Sequence, residues 1–150
     1  MNLSPNFTLE EMTASETAAR YHIDNTPNND VLMNLRRLAL FLEEVRKVLD
    51  KPLHINSAYR SPEANEKVGG KPTSQHCRGT AADIKVKGMT PDQVVTAIVK
   101  SGLQYDQVIR EFDSWTHLSI SNGKDIAPRK QALIIDKKGT RPFKTGEQNG

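Results

Sequence analysis

The sequence predicts an α+β domain in which N-terminal helices pack on a mainly antiparallel sheet. Three observations lead there. Helix start signals and one long helical repeat fill the first third of the 150-residue chain. Strand-like alternation is confined to the stretches after Pro52. No internal repeat calls for a second unit, and the length suits one core. Residues 1–136 are therefore taken as one domain. Residues 137–150, polar and glycine-containing, are taken as a flexible tail.

The elements are justified in chain order. Thr8-Leu9-Glu10-Glu11 and Thr13-Ala14-Ser15-Glu16 both have capping-box spacing and predict short helices. Asn25 to Asn29 reads as a turn whose polar side chains cap the next helix. Val31, Leu35, Leu38, Leu42, Val45 and Leu49 recur at steps of four and three, which puts them on one helix face opposite Arg36, Arg37, Glu43, Arg46 and Lys47. Leu53 to Ser57 reads as a strand. Ser61-Pro62 opens a short helix, with serine at the cap and proline at the first helical position. Ala82 to Val86 alternates as a strand, and Thr90-Pro91-Asp92-Gln93 opens a capped helix that Gly102 ends. Val108–Phe112 and Trp115–Ile120 predict a hairpin turning at Asp113-Ser114, and Ala132–Ile135 predicts an edge strand.

Composition narrows the function. Hydrophobic residues at 36% and charged residues at 26% suit a globular chain and not a disordered one. No apolar run is long enough to cross a bilayer, so no stable membrane insertion is expected. The start lacks a basic region followed by an apolar stretch, so synthesis and retention in a cytoplasm are expected. A target outside the cell then needs some other agent of release. The net charge of +3 sits largely in Lys137, Lys138, Arg141 and Lys144. No element interleaves aromatic and basic residues, so no nucleic-acid partner is expected. Nothing requires more than a monomer.

Cys77 is the single cysteine, which excludes an internal disulfide and a cysteine-rich metal cluster. A metal site must then use His, Asp or Glu, and the histidines are His22, His54, His76 and His117. Ser74-Gln75-His76-Cys77-Arg78-Gly79-Thr80-Ala81-Ala82-Asp83 places a His and an Asp on either side of a tight turn running into a strand. Gly79 permits the turn and Ala81 leaves room beside the pair. Imidazole and carboxylate are both zinc ligands, yet a His–Asp pair is also an ordinary hydrogen bond. His117, on a strand beside Trp115, reads equally well as structural. A catalytic zinc commonly has three protein ligands and an open position, and His76, Asp83 and His117 would supply that set. Cys77 and His22 carry no evident chemistry. His54 faces outward or caps a polar pocket, and Asp106 and Gln107 have no assigned role.

These residues resemble the M15 family of zinc peptidases, which includes D-alanyl-D-alanine carboxypeptidases and phage L-alanyl-D-glutamate endopeptidases. The pattern Ser-x-His-x-x-Gly-x-Ala-x-Asp matches at Ser74, His76, Gly79, Ala81 and Asp83. A strand ending in Tyr-Arg-Ser with a following Asn matches Tyr59, Arg60, Ser61 and Asn65. An aromatic residue two positions before a late His matches Trp115 and His117. The opening Phe7-Thr8-Leu9-Glu10-Glu11-Met12 is similar to phage-encoded members.

The resemblance implies a hedgehog/DD-peptidase-like fold and one Zn2+ held by His76, Asp83 and His117. It implies a peptidase acting through a metal-activated water on the stem peptide of peptidoglycan, as a phage endolysin or lytic factor. Arg60, Ser74 and Trp115 are the implied substrate-binding residues, with Arg60 also placed to meet a developing oxyanion. Many members carry an acid three positions before the last His, where this chain has Ser114. Glu111 and Asp113 are the remaining candidates for the general base. A three-residue turn over Asp113–Trp115 would put Glu111 across from His117, whereas a two-residue turn would put Arg110 there. The alternative is a catalytically silent wall-binding module of the same fold, and Ser114 is the feature that favours it.

Overall fold

Polar caps start the helices. In the computed structural model, which describes residues 1–144, Thr8 and Glu11 close a reciprocal capping box on α1 (Leu9–Thr13). Ser15 caps α2 (Glu16–Arg20), accepting from the Ala18 N–H. The expected box at Thr13 does not form, because the Thr13 hydroxyl turns back to the Leu9 carbonyl. Asn28 caps α3 (Asn29–Leu49), and all six apolar positions of its repeat are buried. Ser61 caps α4 (Pro62–Lys67). Thr90 and Gln93 cap α5 (Pro91–Ser101), which ends on Gly102 in the left-handed region.

The strands are β1 (Asn2–Ser4), β2 (Phe7–Thr8), β3 (His54–Ser57), β4 (Ala81–Lys85), β5 (Gln107–Glu111), β6 (Trp115–Ser119), β7 (Gln131–Asp136) and β8 (Gly139–Pro142). β1 and β2 form a small ribbon for which the sequence carries no clear signal. The others form one sheet in the order β3-β4-β6-β5-β7-β8. Its neighbours are antiparallel except β5 and β7, which run parallel, so the sheet is mixed.

Two expectations need correction. β7 is not an edge strand, because β8 lies outside it. The chain is also not loose from Lys137. Asp136 accepts from the Lys138 N–H and from Nη1 and Nη2 of Arg141, which closes a tight hairpin. Phe143 then buries itself in the core. The rest of the expected tail, 145–150, lies outside the described residues.

Register assigns the two sheet faces, since laterally paired residues point the same way. Ala82, Ile84, Val108, Leu118 and Ile134 face the core shared with α3 and α5. Asp83, His117, Ile109, Glu111 and Trp115 occupy the opposite face. Among the described residues, no helix is long and apolar enough to cross a membrane.

Candidate metal centre

His76 sits in a 3-10 turn, Gln75–Arg78, capped by the Ser74 hydroxyl, which accepts from the His76 N–H at 3.2 Å. Gly79 ends the turn at φ 75°, and a Cβ there would lie 2.9 Å from Val31 Cγ1 of α3. The turn therefore rests directly on the long helix. Its other side is strapped to the loop after β6. Gln75 Nε2 donates to the Ile120 carbonyl at 2.9 Å and to Asn122 Oδ1 at 3.0 Å.

Asp83 and His117 are paired across β4 and β6. Asp83 Oδ1 lies 3.0 Å from His117 Nδ1, and Asp83 Oδ2 lies 3.3 Å from His76 Nε2. The two imidazoles meet edge to face at 5.2 Å. One ligand atom from each of the three residues falls within 4.8 Å of the others. All three side chains are largely shielded from solvent.

Protonation states favour a cation. His76 Nδ1 lies 2.6 Å from the Ala58 carbonyl, which only an Nδ1–H can satisfy. That leaves the Nε2 lone pair facing a carboxylate oxygen. Burial pushes the His76 pKa down against the pull of Asp83, so an Nε2 proton is not favoured. Burial works to raise the Asp83 pKa. The hydrogen bond from His117 and the pull of the two neighbouring imidazoles overcome it and hold that carboxyl well below the usual range. Two facing lone pairs in a shielded pocket are satisfied by a positive ion between them. The two-imidazole, one-carboxylate donor set suits zinc.

A family comparison bears directly on this cluster. The model of Peptidase M15 matches residues 5–119. The chain belongs to the Peptidase M15 family. A comparison with curated proteins gives no match. Peptidase M15 is a family of zinc peptidases, and the His76, Asp83 and His117 cluster is compatible with a single zinc ion. The matched region ends at β6, so β7 and β8 lie beyond it.

The remaining M15-type residues surround this cluster or fall short of it. The β5–β6 turn does hold three residues, but they are Phe112, Asp113 and Ser114. Phe112 and Asp113 both take left-handed φ, and the Ser114 N–H closes the turn on the Glu111 carbonyl at 2.9 Å. Glu111 therefore pairs with Trp115, and Ile109 lies across from His117. The difference from the expected register is two residues, which preserves the face. Glu111 remains diagonal to His117, with Oε1 4.0 Å from its Nδ1. Burial, and next the Asp83 charge, raise the Glu111 pKa. Asp113 sits exposed at the turn tip, and the Ser114 hydroxyl bonds the Phe112 carbonyl. The Trp115 indole N–H is buried.

Arg60 leaves β3 in a loop pinned on both sides. Its N–H donates to the His76 carbonyl at 3.2 Å, and the Tyr59 N–H to Met12 O at 2.9 Å. Its Nε donates to Asn65 Oδ1 at 3.3 Å. Asn65 is itself buried and bonds the Lys71 carbonyl at 2.8 Å. A Cβ on Gly70 would collide with that amide at 2.1 Å. The Arg60 charge reaches the centre as a minor influence, adding to the downward shift that burial gives His76 and opposing the upward shift that burial gives Glu111. Cys77 is free and half-buried, while His22 and His54 are exposed and are not among the clustered residues. Sequence reasoning missed the Ala58 carbonyl and the Gln75 strap. A carbonyl acceptor has no residue signature, and Gln75 stood unremarked inside the motif.

Proposed function

We propose that this protein is a peptidoglycan peptidase with a DD-peptidase-like fold, cutting the stem peptide by attack of an activated water. The observation that carries the reading is the convergence of His76, Asp83 and His117 with Glu111 on one sheet face of an M15 chain. The motif resemblance to wall carboxypeptidases and endopeptidases supports the substrate class and a lytic role.

His76, Asp83 and His117 would hold the ion. When bound, zinc supplies a Lewis acid that brings the pKa of a water to about 7 and polarises a carbonyl. Glu111 Oε1 takes the proton of the attacking water and returns it to the departing amine. Its shielded setting favours that proton shuttle, because burial brings the carboxylate closer in basicity to the groups it serves. Arg60, held by Asn65, offers a fixed guanidinium to the carbonyl oxygen as charge develops. Ala58 holds the His76 ring in the tautomer that presents Nε2.

The test measures new amino groups released from purified peptidoglycan. A chelator is expected to abolish release, and added zinc to restore it. Release that persists at full rate without metal overturns the proposal. One zinc per chain with wall binding and no release would establish the silent-module reading that Ser114 favours.

A further inference from the structure

Beside the metal centre, the open sheet face carries a second feature. Register defines rows of side chains across this face. One row contains Asp83 and His117. The next contains His54 paired with Lys85, and Glu111 paired with Trp115. Continuing the β4–β6 register one step beyond Ile84–Thr116 brings Lys85 beside Trp115. Lys85 thus stands on the Asp83 face, two residues along the same strand, about 7 Å away by strand geometry.

Lys85 does not stand alone. A groove of about 680 Å³ runs along this end of β3 and β4, floored by Pro52 and Leu53 and rimmed by Lys51, His54, Lys85 and Lys87. No acidic side chain lines it. None of the three lysines has an ion-pair partner among the described residues. Lys85 and Trp115 also share a second cavity of about 240 Å³ on the turn side. An extended peptide advances about 7 Å every two residues, the same step that separates the two rows.

We propose that this lysine groove is a subsite for a free carboxylate of the substrate, adjoining the bond that is cut, with Lys85 as its principal ligand. The inference rests on the peptidase reading above and gives it a substrate class: stem peptides with a free carboxylate beside the scissile bond, in preference to the amidated form. Lys85 reaches the carboxylate as a point charge on a flexible stem, and Lys51 and Lys87 add to the local positive field.

The experiment compares two synthetic stem peptides that differ only in whether that carboxylate is free or amidated. On zinc-loaded full-length protein, kcat/KM is expected to favour the free carboxylate about tenfold, the scale of one charge-assisted hydrogen bond. The ratio between the two peptides should fall to about one in the double variant Lys85→Met, Lys87→Met, and Lys85→Arg should keep it. In the wild type, raising salt from about 50 to about 500 mM should shrink the ratio, so the proposal stays testable even if the double variant does not fold. Trp115, the single tryptophan, reports binding by its fluorescence, measured in a Glu111→Gln background where turnover is slow. The two Kd values should differ by the same factor.

A wild-type ratio near one overturns the proposal. So does a ratio that survives in the folded double variant, which would move carboxylate recognition elsewhere, with Arg60 the first suspect. Binding of polyglycerol phosphate that needs Lys85, without discrimination between the peptides, also overturns it in favour of a wall phosphodiester. Failure to cleave either peptide, or to release amino groups from peptidoglycan, overturns the peptidase reading instead. The fluorescence arm then still reads the groove.

Discussion

Two carboxylates, Asp83 and Glu111, stand at the centre and Asp113 stands outside it, and position divides their work. Asp83 touches both imidazoles and is held ionised, so it suits a ligand's place and is a poor proton carrier. Glu111 touches only the edge of His117 and its pKa is raised, first by burial and then by Asp83. Asp113 lies beyond the strand end in solvent. On the proposed mechanism, Glu111 is therefore the carboxylate placed to act as the base. Glu111→Gln should lower turnover about 10²–10⁴-fold, with zinc content unchanged because Glu111 is not among the three ligands. Asp113→Asn should stay within a few-fold of wild type. Both are read as amino-group release at saturating peptidoglycan, alongside metal analysis. The reverse order of effects would move the base to the turn.

At the scale of elements, the loop between β6 and β7 is irregular and still firmly tied. Asp106 is buried ahead of β5 and accepts from the Arg129 backbone N–H at 2.8 Å, its Nε at 3.0 Å and its Nη2 at 2.6 Å. Burial acts to raise the Asp106 pKa, but the bonds from Arg129 win and lower it. A folded-state pKa below the unfolded one means stabilisation that is complete above the ordinary carboxylate value. It is lost as pH falls through the folded value. Asp106→Asn should therefore cost about 1–2 kcal/mol at pH 7. That gap should hold down to about pH 4, near the ordinary aspartate pKa, and close below it. Urea midpoints of both proteins between about pH 7 and about pH 2.5 decide it, and a gap independent of pH would refute the Arg129 account. Nothing local announced this pair. Asp106 and Arg129 are far apart in the chain, and neither side chain signals which loop will fold back to meet it. The helix caps were legible for the opposite reason. Thr8, Asn28, Ser61 and Thr90 act on backbone groups within three residues, so sequence spacing alone carries the interaction.

For the whole molecule, the same contrast between local and distant signals decides what could be read. His76 and Asp83 lie on one motif, and the repeat from Val31 to Leu49 marks its own buried face, so both were visible in sequence. The lysine row beside Asp83 depends on how β3, β4 and β6 align, and strand register is a long-range property with weak local code. β8 was missed because Gly-Thr-Arg-Pro has no alternating pattern, and its pairing is set by the Asp136–Arg141 clamp and by Phe143. That hairpin bears on the centre. β7 flanks β5 in parallel, the Phe112 N–H donates to the Ile135 carbonyl at 2.8 Å, and Ile135 lies beside Glu111. Phe143 holds the hairpin from the core side, its N–H bonding the Ala132 carbonyl at 2.9 Å. Phe143→Ala should cost about 3 kcal/mol through lost burial and the cavity left behind. The loss should first show as faster amide exchange in 131–142, with β4 and β6 still protected. Activity should then fall at temperatures where those two strands remain folded, because Glu111 loses its neighbour while His76, Asp83 and His117 keep theirs. Hydrogen exchange and amino-group release measured across the same temperature range test this, and simultaneous loss of protection in β4, β6 and β7 would show that the hairpin does not separate from the centre it borders.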